Sequence, residues 1–168
     1  MTHLEIDNAL VDITRAMCEE CQVRLDAVPQ ENITERKAVQ LEHGMYTFCG
    51  NFGELFNTGW EREKVFSVRQ PYLKKVLSKY PTLNDTYQTL SNDEKLCFVA
   101  AFHAEISLRD QWIEKKSAEL AAAKASGDTK NAFEITIMIA AVKNMFAAWE
   151  AWRVENNIFP HMFEGDWA

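Results

Sequence analysis

Strand-like alternation of β-branched and polar residues is scarce in this 168-residue chain. Leu, Ala, Glu and Lys dominate its periodic stretches instead, so the expected class is all-α. A membrane span is not expected either. Within the apolar stretch Ala132–Trp152 the longest unbroken run is Ile137–Val142, far short of the ~20 residues a span requires. Met1–Leu10 has no basic n-region and no apolar h-region, so no signal peptide is expected. The four cysteines are therefore expected as reduced thiols in a cytoplasmic protein. No low-complexity segment and no internal repeat are visible.

Catalytic signatures are missing too. There is no P-loop, no GxGxxG after a strand, no GxSxG elbow and no HExxH. No Glu stands three residues before His43, His103 or His161, so the paired Glu-x-x-His of a di-metal carboxylate bundle is absent. No cofactor is expected. Positive charge is also short: the net charge is −7, which argues against direct nucleic-acid binding, since phosphate contacts supply most of that affinity. Residues 1–28 carry −4, and only 59–90 is basic, at +3 (Arg62, Lys64, Arg69, Lys74, Lys75, Lys79). That patch is expected as a solvated face or as a complement to the acidic first helix.

What is present reads as one domain, 1–168, of about five or six helices. Ile6, Leu10, Ile13, Met17, Cys21, Leu25 and Val28 recur at helical spacing and Pro29 follows, predicting a first helix over His3–Ala27 with most acids off its apolar face. Asn32 and Glu35 open a second helix. Four of the six glycines fall within His43–Gly59, and each interior glycine costs up to ~1 kcal/mol in a helix. Close approach of a neighbouring backbone, or a break near Gly50–Gly53, would explain them. Pro71–Tyr80 has an apolar face. Pro81–Leu90 reads as a connector anchored by Leu83, Tyr87 and Leu90.

The C-terminal half reads as a long antiparallel hairpin, about 92–125 and 129–157. Ser91–Glu94 is a capping box, and Ala125–Thr129 supplies a helix stop and a new N-cap. Ala132–Trp152 is apolar on nearly every side, so it is expected to be the central buried helix. Polar residues recur at sevens in both arms: His103, Asp110 and Ser117, then Thr136, Lys143 and Glu150. Their positions pair to a common total of 253, so His103 is expected to face Glu150, Asp110 to face Lys143, and Ser117 to face Thr136. Such layers fix register. A sharper reading makes His103, Asp110, Lys143 and Glu150 an acid/base or ligand-binding site. The alternative is that the Thr136 stripe faces water.

Three functional readings follow. The first is a non-enzymatic protein-binding module, an adaptor or inhibitor. It would act through an acidic and aromatic surface: Glu19 and Glu20 on the first helix, and Phe159, Met162, Phe163 and Trp167 in the tail 158–168, which is expected either to fold back onto the bundle or to dock on another chain or a second copy. One version, by analogy with small acidic phage-encoded inhibitors, occupies a nucleic-acid-binding site of its target. A homo-oligomer is a further expectation. The second reading is a small zinc-stabilised protein, because Cys18-x-x-Cys21 places two thiols on one side of a helix and His43 and Cys49 would complete four ligands. The third is the His103/Glu150 site.

Overall fold

A computed structural model describes residues 1–54, 71, 73–75 and 77–160, with side chains through residue 51 in the first of these stretches. Among the described residues there are helices and no strands. α1 spans His3–Ala27, α2 Ile33–Glu54, α3 Pro81–Thr89, α4 Asn92–Ser107, α5 Glu114–Ser126 and α6 Thr129–Glu155. A π-helical segment, Leu108–Ile113, joins α4 to α5.

Local chemistry sets these ends. Thr2 and Glu5 form a reciprocal capping box on α1, and Ser91 and Glu94 form one on α4. Each satisfies two backbone donors that a helix start would leave unpaired. Gly127 ends α5 with φ 74°, a left-handed conformation that glycine adopts without a Cβ clash. Asp128 then accepts from Asn131 N at 3.1 Å and starts α6. The expected connector Pro81–Leu90 is instead helical as α3. Its buried residues Leu83 and Tyr87 are four apart, a helical spacing that also fits two anchors on a loop. Pro81 at the first position costs nothing, since that N–H lacks an intrahelical partner.

α4, rather than α6, is the central helix. Every residue from Phe98 to Leu108 is buried. α1 and α2 pack side by side; α6 lies against α2, α5 and α1. The buried side of α6 is Ile135, Ile139, Ala141, Val142, Met145, Phe146, Trp149 and Arg153. Its other side is open: Thr136, Ala140, Lys143, Ala147, Glu150 and Val154 are exposed. The expected facing of His103 with Glu150 and of Asp110 with Lys143 therefore does not form. Two physical reasons account for the difference. α6 offers its bulkier apolar side to the core and leaves the small and polar stripe in water. The π segment also widens the helix by one residue, which turns everything after it by about 100°. Seven-residue spacing consequently no longer keeps His103, Asp110 and Ser117 on one face. By length and composition α6 could cross a membrane, with a mean hydropathy of 1.3 over its most apolar window. A third of that window is buried within the bundle.

Two close contacts fix the packing. Trp149 Nε1 donates to the Ala101 carbonyl at 2.7 Å, tying α6 to α4. Gly50 sits against Thr14 of α1, where a Cβ would come within 2.7 Å of the Thr14 hydroxyl. Close helix approach thus explains this glycine, and α2 runs unbroken to Glu54. Gly44 has no such neighbour; Gly59 lies outside the described residues.

Candidate protein-contact surface and polar cleft

α1 turns one face inward, where Ile6, Leu10, Thr14 and Cys21 are buried. Asp7 is buried with them, although its charge would place it outside. On the outer face Glu5, Asp12, Glu19 and Asp26 are all exposed, as is Glu20. The first four are seven residues apart, so they form one stripe about 32 Å long. Asp12 pairs with Arg15 at 3.3 Å, an exposed contact of little energy. Gln22 donates to Asp26 at 2.8 Å. Glu19 and Glu20 have no ion pair or hydrogen bond among the described residues. Val23, 70 % exposed, lies among these acids.

Beside this face a cleft of about 310 Å³ opens between α1, α2 and α6. Its wall includes Glu20, Arg24, Glu42, Tyr46 and Asn144. Arg24 Nη1 donates to Glu42 Oε1 at 2.9 Å, and the Tyr46 hydroxyl donates to the same oxygen at 2.8 Å. Burial alone would raise the Glu42 pKa, but the bonds from Arg24 and Tyr46 outweigh it and hold the carboxyl below its usual value. Burial pushes the Tyr46 hydroxyl up. A groove of about 390 Å³ lies at the start of α2 and α6, where Ile33 and Phe133 are exposed between Lys37 and Lys130.

The tail residue Phe159 does not face outward. Its ring meets Phe98 at 5.5 Å and Phe102 at 5.8 Å. Its carbonyl accepts from Arg153 Nη1 at 3.0 Å. Phe159 has φ 47°, which costs a bulky residue ~1–2 kcal/mol and is held by those contacts. It is thus a core-side residue in this chain. Met162, Phe163 and Trp167 lie outside the described residues.

The His103 constellation is not assembled. His103 is buried, whereas Lys143 and Glu150 are exposed. Asp110 pairs with Lys79. The buried charges sit on another face of the helix, two residues on: Glu105 contacts Arg109 at 3.2 Å and Arg153 at 3.9 Å. The two guanidiniums lie over the rings of Phe146 and Phe102 respectively. Glu105, the one carboxylate within Cys97–Leu108, was the available signal, because a buried carboxylate demands a cation.

The zinc set also fails to converge. Cys18 Sγ approaches the His43 carbonyl at 3.8 Å and Thr47 Oγ1 at 3.5 Å rather than ligands. Cys21 and Cys49 are buried, and burial pushes their thiols up to about 11 and about 12. No group of three or more His, Cys, Asp or Glu among the described residues is placed to hold a metal ion. Compared with protein families, characterised proteins and solved structures, the chain matches none.

Proposed function

We propose that this protein works by binding another protein, as an adaptor or inhibitor, through the acidic outer face of α1. The supporting observation is the exposed stripe Glu5–Asp12–Glu19–Asp26 with Glu20 beside it. Exposed carboxylates along one helix face, two of them (Glu19 and Glu20) without an ion pair among the described residues, create a negative potential that steers a basic partner into register. The partner is then a protein with a basic surface. One form of this reading is an inhibitor lying in its target's nucleic-acid-binding site, carboxylates standing where phosphates would. The reading sets this action in the cytoplasm, with no cofactor. The groove at Ile33 and Phe133 supplies an apolar contact separate from the acidic stripe.

The test begins with a captured partner. Its affinity for the full chain is measured by calorimetry across ionic strengths. The reading expects binding to weaken steeply with salt, as contacts between exposed charges must. For a nucleic-acid-binding target, short DNA or RNA competes with the protein. Salt-independent binding would remove the acidic stripe from the interface.

A further inference from the structure

We infer that the cleft between α1, α2 and α6 receives a single basic side chain, a lysine or arginine, projecting from the partner's surface. This rests on the protein-binding reading above and adds its specificity element. The cleft opens where the acidic face ends, and Glu20 belongs to both. Its size, about 310 Å³, is at the lower limit of small-molecule pockets, which run about 300–1,000 Å³. That suits one long side chain better than a cofactor.

The chemistry of the wall selects a cation. Glu20 and Glu42 face one Arg24, leaving a net negative site. Both internal donors, Arg24 Nη1 and the Tyr46 hydroxyl, fall on Glu42 Oε1. Oε2 of Glu42 keeps its acceptor capacity. Asn144 on α6 lines the rim and hydrogen-bonds Tyr46. Met17 and Cys21 give an apolar wall along which a methylene stem can lie while its charged head reaches the carboxylates. Arg24 is itself a basic side chain held by Glu42, and shows the geometry of such a contact. It is also a competitor: an incoming cation shares Glu42 with it.

That competition gives the inference a signature a structural role would not have. Glu42→Gln keeps an acceptor for Arg24 and Tyr46 but removes the charge. Arg24→Gln removes the competing cation. The first should weaken binding of a basic side chain by about fivefold, and the second should tighten it by about as much. The probe is a capped tri-lysine peptide, titrated into isotopically labelled full chain and followed by amide chemical shifts. The control is the same peptide with its lysines acetylated. The expected result is saturable shifts at Cys21, Tyr46 and Asn144 with the first peptide alone, moved in opposite directions by the two variants. Equal shifts with the acetylated peptide, no saturable shift at these residues, or weakening by both variants would overturn the cleft assignment. A captured partner that survives Glu42→Gln but is lost on reversing Asp12 and Glu19, which lie on the acidic face outside the cleft, would also overturn it, leaving the acidic-face reading in place.

Discussion

Replacing Gly50 by alanine should destabilise the protein, although alanine is the better helix former. Gly50 lies inside α2 and is buried against α1. An added Cβ would stand 2.7 Å from Thr14 Oγ1, while ordinary contact begins near 3.4 Å. The hydroxyl would have to retreat by about 0.7 Å, the difference between those two distances. It is not free to do so, because it donates to the carbonyls of Leu10 and Val11, both at 3.0 Å. Overfilling a packed contact costs ~1–3 kcal/mol, and the gain in helix propensity returns up to ~1. The net expectation is a loss of ~1–2 kcal/mol. Gly44, six residues earlier on the same helix, has nothing within 4 Å of a Cβ, so Gly44→Ala should stabilise by ~0.5–1 kcal/mol. Urea unfolding followed by circular dichroism compares the two. In a Thr14→Ala background the cost of Gly50→Ala should largely vanish, because the clashing atom is gone. Equal stabilisation by both glycine replacements, or an undiminished cost of Gly50→Ala in that Thr14→Ala background, would refute the close-approach argument.

Arg153→Met should cost ~1–3 kcal/mol, because the Phe159 carbonyl loses its donor while Glu105 keeps the closer Arg109; a double-mutant cycle with Glu105→Gln by urea unfolding reads the Arg153–Glu105 coupling. The same change should release Phe159 from Phe98 and Phe102, visible as ring-proton shifts. Glu42 has a folded pKa below its ordinary value of 4.5, so its contribution to stability is present above pH 4.5 and is lost as pH falls through the lower folded value. Glu42→Gln should therefore flatten the fall in melting temperature below pH 4.5 without changing the slope near neutrality. With an aromatic disulfide reagent at pH 8, Cys18 should be modified well before Cys21 and Cys49, whose thiols are buried and titrate near 11 and 12; mass spectrometry of timed samples checks the order, and unfolding should equalise the rates.

The helices were legible where ends carry their own chemistry. The capping box at Ser91, the Gly127 stop and the Asp128 cap act through backbone donors within three residues, so the sequence alone locates them. α3 was missed because Leu83 and Tyr87 fit both a short helix and an anchored loop. The centre of the fold was misplaced for a different reason. α4 and α6 are both rich in apolar residues, and composition does not say which is enclosed by neighbours; Lys143 and Glu150 keep one side of α6 in water, while Glu105 and His103 go inside with α4. The layers His103–Glu150 and Asp110–Lys143 do not form because Lys143 and Glu150 lie on the exposed side of α6, and the extra residue of the π segment breaks any seven-residue register that crosses it. The exposed Glu19 and Glu20 were legible because their positions oppose the apolar face of α1. The cleft was not, since Glu20, Glu42 and Asn144 come from three helices and no spacing rule links them.

The most direct test of the protein-binding account is a tagged pull-down from native-host lysate comparing three chains: the full chain, Glu19→Lys with Glu20→Lys, and the control Glu155→Lys on the exposed end of α6. Circular dichroism establishes that all three are equally helical. The account predicts one stoichiometric protein partner retained by the full chain and the control and lost on reversing the α1 acids. The same partner on all three chains, or no partner on any, would contradict it.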